Sequence, residues 1–332
     1  MKTILVLVNS TTELLPSQSS AEIAHGFAVR GHQVLIGDVT SLAWGPFDCP
    51  QIWAHIGSSR TENISHWLQE TIHQQPHRFQ FPEIDMVFIR TNPGRDKLRG
   101  WAHDVVLDLM TWAEDHNIVV LNSPRMLRQA SSKMYLQNFP QEVRPKSIIS
   151  RNKDELKAFV REQTQPCILK PLRGTGGSSV FIVRPQDRSN LSQIIEVIVP
   201  NDYVIAQEYI PEADKGDIRL LILEGKPICI DGEYAAVARL RQGDDVRSNV
   251  AVGGKAAKPD SLEHIPALLS YITPKLIADG VFLAGLDIIG KKIVEVNVFS
   301  PGGIRDAGIF ANRDFLTPII DAALSKIPTV KP

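Results

Sequence analysis

Across its first 121 residues the chain alternates short apolar runs with helical periodicity, and this alternation limits the fold more than any other feature. The runs fall at 4–8, 33–36, 86–89 and 118–121, with helical patterns over roughly 19–30, 61–73 and 101–116. Such alternation folds as a parallel sheet flanked by helices, because each helix carries the chain back to begin the next strand in the same direction. The first run, in "MKTILVLVNS", reads as a buried strand. Its apolar core is shorter than the about 7–15 residues of a secretory leader, and no small-x-small cleavage site follows. No run approaches the ~18 apolar residues of a membrane span, so a soluble, cytoplasmic protein is expected.

At 332 residues the chain exceeds what one core supports, and two or three subdomains are expected. With 36 basic and 37 acidic residues the net charge is −1, which offers no footprint for nucleic acid or a membrane surface. Cys49, Cys167 and Cys229 are odd in number and far apart, with no CxxC pair, so neither a disulfide framework nor a zinc site is expected.

Beyond residue 121 the pattern changes. A helix is expected at about 124–138, with Ser123 as N-cap and Pro124 at N1, and another over 150–162. From 167 to 240 the chain is strand-rich, at 167–170, 179–183, 203–209, 217–223, 226–230 and 233–239. "PDSLEHIPALLSYITPKLIADG" reads as a long helix opened by an Asp260/Glu263 capping box, kinked at Pro274 and stopped by Gly280. A hairpin over 283–298 and a helix near 313–326 close the chain.

Several chemistries are excluded by what is missing. No GxGxxG follows the first strand, no Walker A window occurs, and neither HExxH nor GxSxG is present. Four stretches remain. In "ILKPLRGTGGSSVFIV" (168–183) the glycines join two strands, so no helix N-terminus is available for an anion. Their backbone N–H groups can still converge into an anion nest, helped by Ser178, Ser179 and Lys170; a flexible hairpin reads equally well.

In "GLDIIGKKIVEVNVFSPGG" (285–303) a three-residue turn at Gly290–Lys292 would pair Ile289 with Ile293. Asp287 then stands opposite Glu295, with Asn297 on the same face, whereas a two-residue turn would set Asp287 opposite Val294. Three oxygen donors on one face suit Mg²⁺ bound with phosphates; the alternative is an exposed polar face. "YVIAQEYIP" (203–211) can read an adenine edge and hold a ribose, and Asp217 and Arg219 share a face of the next strand, where a structural salt bridge is the competing reading. "ARLRQGDDVRSNVAVGGK" (238–255) is cationic and glycine-bearing, which fits a lid over an anionic centre or a surface loop.

Taken in order, "NSPRMLRQASSKMYLQNF", "CILKPLRGTGGSSVF", "IAQEYIP", "GDIRLLIL", "RSNVAVGGK" and "GLDIIGKKIVEVNVFSP" resemble bacterial glutathione synthetase, an ATP-grasp ligase, over about 118–326. The resemblance is thinner before 118, where the opening strand and "VFIRTNP" carry it. It implies an α/β chain: an N-terminal parallel α/β (pre-ATP-grasp) domain at 1–122, then a two-subdomain ATP-grasp fold with antiparallel sheets. The subdomains would span 123–200, with a phosphate loop at 173–179, and 201–332, with the lid and metal site.

Residue by residue, the resemblance implies ATP contacts from Lys133, Lys170, Gly174, Thr175, Gly176, Gly177 and Ser178, an adenine and ribose rim at Gln207, Glu208, Tyr209 and Ile210, and a nucleotide-side carboxylate at Asp217. Arg219, Arg239, Arg247 and Asn249 match reaction-centre and lid positions, and Asp287, Glu295 and Asn297 match Mg²⁺ ligands, with Mn²⁺ as a substitute. Substrate contacts would come from Arg90, Asn92, Ser300, Gly302, Gly303 and Arg305.

The implied reaction joins a small-molecule carboxylate to an amine through an acyl phosphate, with glutathione synthase as the leading expectation and a homo-oligomer implied. Two departures bear on the substrates. The family's R-x-D-P-P-F-D segment reads "RTNPGRD" at 90–96, where Asn92 replaces a carboxylate and Arg95 an aromatic, and S-P-T-x-I-R reads "SPGGIR" at 300–305. A related ligase acting on a different amino acid or peptide is therefore the first alternative. A non-catalytic nucleotide-binding regulator is the second, and the facing carboxylates argue against it because they are costly to keep.

Overall fold

The computed structural model describes residues 1–174, 179–241 and 254–329, all but the Lys97 side chain. The first sheet contains β1 (Thr3–Val8), β2 (Gln33–Asp38), β3 (Leu42–Trp44), β4 (Pro50–Ile56), β5 (His77–Gln80), β6 (Met86–Ile89) and β7 (Val119–Leu121). As expected, β2, β1, β6 and β7 lie parallel in that order. Helices α1 (Ser19–Val29), α2 (Ile64–His73) and α3 (Gly100–Asp115) match the anticipated connections.

Both faces of β1 are buried. Ile4, Val6 and Val8 pack with Ile23 and Phe27 of α1, while Leu5 and Leu7 pack with Val106 and Met110 of α3. A continuous apolar run is the signature of such a strand. The antiparallel additions β3, β4 and β5 were not anticipated, and they carry the exposed Trp44 and Trp53.

The helix expected over 124–138 is broken. Helix α4 (Pro124–Gln129) ends at Ala130, and a 3₁₀ turn begins at Lys133, where the Ser132 hydroxyl accepts a hydrogen bond from the Met134 amide. Ser123 occupies the N-cap position of α4 without a side-chain capping bond.

The second sheet has the order β10 (Phe181–Val183), β9 (Cys167–Pro171), β11 (Val204–Glu208), β8 (Ser147–Ser150), and every pairing is antiparallel. Helices α5 (Lys153–Glu162) and α6 (Leu191–Ile198) cover it, the latter not anticipated. This sheet has its own core, in which Leu156, Phe159, Ile195 and Ile198 enclose Leu169, Val204 and Ala206.

Among the described residues the third sheet runs β17 (Lys255–Ala257), β16 (Ala236–Leu240), β12 (Asp217–Leu223), β18 (Leu283–Ile289), β19 (Lys292–Asn297), with β13 (Lys226–Pro227) paired to β12. A small hairpin joins β14 (Cys229–Ile230) and β15 (Glu233–Tyr234). One face packs on α7 (Ile265–Ala278) through Leu220, Ile222 and Leu286. The other packs on α8 (Ile304–Ala311) and α9 (Leu316–Ser325) through Leu221, Val237 and Leu283.

Helix α7 starts later than expected. His264 is its N-cap without a side-chain bond, so the Asp260/Glu263 capping box does not form, and the helix continues through Pro274. Gly280 at φ 70° ends it as anticipated, with Gly280 N–H bonded to Ile277 and Val281 N–H to Leu276, the two bonds of a Schellman cap.

The first and third sheets share both of their cores, and one buried amide ties them together. Asn122 directly follows β7. Its Nδ2 donates to the carbonyls of Leu283 (2.8 Å) and Val298 (2.6 Å), and its Oδ1 accepts from the amides of Phe282 and Leu283. All of its hydrogen-bonding capacity is used at a 3% exposed position, which fixes β18 and the end of β19 against the first sheet.

Candidate active site

The site grows out of register in the third sheet. Asp217 stands opposite Arg239, Arg219 opposite Asp287, and Asp287 opposite Glu295. Directly paired residues share a face, so opposite charges meet across β16, β12 and β18, and two carboxylates meet across β18 and β19.

The expected Asp287–Glu295 pairing is present, but it is reached by a different route. The turn has two residues, Gly290 and Lys291, because Ile289 pairs with Lys292. A bulge between Asp287 and Ile288 leaves Val294 as the extra residue on β19, and this single shift returns Glu295 to Asp287. Asn297 lies two residues on and donates from Nδ2 to Asp287 Oδ2 at 3.3 Å.

Two guanidiniums hold Asp287. Arg219 Nε reaches Oδ1 at 2.5 Å and its Nη2 reaches Oδ2 at 3.1 Å, while Arg239 Nη2 reaches Oδ2 at 2.9 Å. Arg239 also grips Asp217 with Nε at 2.7 Å and with Nη2. The salt bridge read within β12 is thus replaced by pairs between strands: Asp217 goes to Arg239, and Arg219 goes to Asp287. Gly285 makes room for this, since a Cβ there would lie 2.8 Å from Arg219 Cδ.

Burial alone would raise the Asp287 pKa, yet Arg219 and Arg239 outweigh it and hold the carboxyl well below the usual range. Glu295 moves the other way, raised by burial and then by the Asp287 charge. Among the described residues the Lys133 ammonium reaches it at 3.9 Å. Asp217 is also raised, by burial and then by Asp287, with Arg239 opposing. Asp287, Glu295 and Asn297 therefore offer oxygen donors on one face, with the Glu295 carboxylate half-buried, which fits a hard divalent cation completed by phosphates. Among the described residues no cluster of three His, Cys, Asp or Glu side chains forms a metal site, and the donor set here is two carboxylates and an amide.

Across from this face stand two lysines. Lys133 opens the 3₁₀ turn, and its Nζ donates to the Gly174 carbonyl at 2.7 Å. Lys170 lies in β9, where burial outweighs Glu295 and brings its pKa down to about 8. Strands β9 and β10 pair antiparallel, so the glycine-rich segment joins the strands of a hairpin, as its sequence indicated. Gly174 has φ 108° and Ser179 has φ 58° at its two ends. Thr175, Gly176, Gly177 and Ser178 lie outside the described residues, as do Arg247 and Asn249 in the segment between β16 and β17.

The two lysines, Gly174 and the charged face of the third sheet line one cleft of about 460 Å³ between the second and third sheets. Gln207, Glu208, Tyr209 and Ile210 form one rim of it, with Glu208 Oε1 accepting from the Lys146 amide at 2.8 Å and the Tyr209 hydroxyl bonded to Asp214. A second cleft of about 270 Å³ adjoins it, lined by the loop before α1, by Arg90, and by residues common to both: Asn92, Arg95, Ser300, Gly302 and Gly303.

Arg90 is 4% exposed and donates to the Pro301 carbonyl at 2.7 Å and to the Ser20 hydroxyl at 3.3 Å. Arg305 is exposed and lines neither cleft, although its charge reaches Glu22. Its place on the first turn of α8 turns it from the cleft, and Asp306 lines the wall instead. The sequence reading did not select Arg95, the buried Asp96–His103 pair beneath it, or Asn122; the altered "RTNPGRD" segment was the one signal for the first two.

A grasp of one nucleotide-sized cleft between two antiparallel sheets, behind a parallel α/β unit, defines an ATP-grasp ligase, which is an ATP-dependent C–N ligase. Residues 1–128 match the family described as "Prokaryotic glutathione synthetase, N-terminal domain", and residues 132–311 match "Prokaryotic glutathione synthetase, ATP-grasp domain". The chain belongs to the prokaryotic glutathione synthetase family.

Curated relatives agree. The protein named glutathione synthetase in Synechococcus elongatus is 30% identical over 90% of this chain and 91% of its own. That of Synechocystis sp. is 32% identical over 87% and 88%, and that of Gloeobacter violaceus 31% identical over 96% and 95%. Among solved structures, the D-cycloserine synthetase DcsG superposes with a TM-score of 0.67 at 14% identity over 98% of this chain and 100% of its own. The ATP-grasp ligase PsnB with its minimal precursor gives 0.59 at 18% over 98% and 99%. At such identities these two share the fold alone. No helix among the described residues is long and apolar enough to cross a membrane.

Proposed function

We propose that this ligase is a glutathione synthase, converting γ-glutamylcysteine, glycine and ATP to glutathione, ADP and phosphate. The observation that carries the reading is the charged face in which Arg219 and Arg239 surround Asp287 beside Glu295. Cationic donors line the cleft, and such preorganised groups are the main means of catalysing phosphoryl transfer.

In this reading Gln207 to Ile210 hold adenine and ribose, Lys133, Lys170 and the glycine-rich hairpin hold phosphates, and Asp217 orients Arg239. Asp287, Glu295 and Asn297 would hold Mg²⁺ (or Mn²⁺), which would supply charge neutralisation at the phosphates. The substrate carboxylate attacks the γ-phosphorus and ADP leaves. The amine then attacks the acyl phosphate carbonyl, phosphate departs, and the nitrogen loses its proton as the amide forms. Arg219 and Arg239 stabilise the transferred group, and the segment carrying Arg247 and Asn249 keeps water from the acyl phosphate. Asn92, Ser300, Gly302 and Gly303 position the acid and amine, and Arg90 supports their wall through the Pro301 carbonyl.

The functional units follow 1–122, 123–200 and 201–332. Because β11 completes the second sheet, the second boundary is better drawn after Glu208. The partners are small molecules with neither nucleic acid nor membrane, the location is cytoplasmic, and a homo-oligomer is consistent with the reading.

A ligase for a different amino acid or peptide is the second reading, favoured by the cation Arg95 at the shared wall of the two clefts. Phosphate release with product mass measurement decides between them. Glutathione formed from γ-glutamylcysteine and glycine supports the first, turnover only with other acid–amine pairs supports the second, and no turnover across the panel leaves a nucleotide-binding regulator.

A further inference from the structure

Arg95 sits at the junction of the two clefts and lines both. Its loop is held in place rather than free. Asn92 Oδ1 accepts from the Gly94 amide at 3.0 Å, and the Asn92 amide donates to Asn9 Oδ1 at 2.6 Å, while Asn9 Nδ2 returns a bond to the Asn92 carbonyl. The next residue, Asp96, turns the other way. It is 6% exposed, accepts from Arg99 Nε at 2.9 Å, and lies 3.1 Å from His103 Nε2 in α3. Thus the neighbouring carboxylate is used to anchor the loop, and among the described residues Arg95 makes no ion pair.

On the side of the second cleft the surroundings are short of negative charge, whereas the first cleft also carries acids such as Asp287 and Glu295. Of the side chains lining the second cleft, Glu13 is the one acid, against Arg90 and Arg95, and the rest of the polar lining is serine, asparagine and glutamine. Arg90 is spent on the Pro301 carbonyl and the Ser20 hydroxyl and stays within the wall. Among the described residues lining the second cleft, Arg95 is the cation left for a bound molecule to meet.

We infer that Arg95 is a specificity-determining residue that selects a reactant bearing a carboxylate not consumed in the reaction, held where the two clefts meet. The inference rests on the ligase reading above and names a property of its substrates. Both reactants of that reading have such a group: the α-carboxylate of the γ-glutamyl residue in the acid, and the carboxylate of glycine in the amine. A charge-assisted bond of this kind separates a carboxylate from its amide by about 10–100-fold.

The test compares wild type, Arg95→Gln and Arg95→Lys with γ-glutamylcysteine, its γ-glutamyl α-amide, glycine and glycinamide, in phosphate release and in calorimetric binding without ATP. Wild type should favour one acid over its amide by about 10–100-fold in kcat/KM, Arg95→Gln should bring that ratio near one, and Arg95→Lys should keep part of it, with the KM for ATP unchanged. Loss of the dipeptide preference assigns the acid reactant, and loss of the glycine preference assigns the amine. A ratio unchanged in Arg95→Gln for both pairs, or no preference in wild type, overturns the inference. If no pair turns over, the ligase reading fails, and binding alone decides: weaker γ-glutamylcysteine binding in Arg95→Gln upholds Arg95, and equal or absent binding overturns it.

Discussion

Arg219 and Asp287 face each other on adjacent strands, joined by a two-pronged contact of 2.5 and 3.1 Å at the centre of the cleft. The fork of a guanidinium matches the carboxylate, and an ammonium cannot reproduce it. Arg219→Lys should therefore lower kcat by about 100-fold while changing the KM for ATP by less than about threefold. Steady-state phosphate release measures both. Unchanged kcat in a folded variant would remove Arg219 from the reaction centre.

Glu295 is a half-buried carboxylate whose pKa is raised, and the cation that reaches it among the described residues, Lys133, is 3.9 Å away. If it is a metal ligand, Glu295→Gln should raise the Mg²⁺ concentration needed for half-maximal activity by about 10–100-fold. The same substitution should make the metal-free protein more stable, since an amide is cheaper to bury than a charge. Thermal melts without metal and activity over an Mg²⁺ titration check the two halves separately. Unaltered magnesium dependence would show that the ligand set is wrong.

Glu22 of α1 has Oε2 buried without a hydrogen-bond partner among the described residues, and burial lifts its pKa to about 7, against the opposing charges of Arg305 and Arg90 and with Asp306 adding to it. The folded protein then holds this proton more tightly than the unfolded chain. Its contribution is complete below the unfolded value of 4.5 and is lost as pH rises toward about 7. Glu22→Gln should be more stable than wild type at pH 8 by about 1 kcal/mol, a figure reduced for partial solvent access, with no gain below pH ~4.5. Thermal melts from pH 4 to 8 test this; parallel curves would contradict it.

What the sequence disclosed depended on whether a residue's role is local. The parallel sheet was legible because β1 is apolar on both faces, and the glycine-rich hairpin because two strand patterns flank it. The helix over 124–138 was not, since Ser132 diverts the backbone into a new turn that places Lys133 at its start. Strands β3 and β5 are only three and four residues long and carry little burial contrast, and in β4 the exposed Trp53 and the terminal Pro50 obscure an alternation that burial does show.

At the site, the Asp287–Glu295 pairing was legible but its cause was not. A two-residue turn, for which Gly290 at φ 54° is suited, and the Val294 bulge offset one another, and the bulge is not marked in the residue types. The partners of Asp217 and Arg219 depend on which strand lies on each side, which no spacing within β12 encodes. Asn122 was invisible for the same reason: its four bonds all go to backbone 160 or more residues away.

The central claim is that a substrate carboxylate is activated as an acyl phosphate before the amide forms. It is tested most directly by following ¹⁸O from the C-terminal carboxylate of γ-glutamylcysteine during turnover with ATP, Mg²⁺ and glycine. The expected result is one labelled oxygen in each phosphate released, because the carboxylate oxygen that attacks phosphorus leaves with it. Glutathione formation accompanied by unlabelled phosphate would contradict the claim.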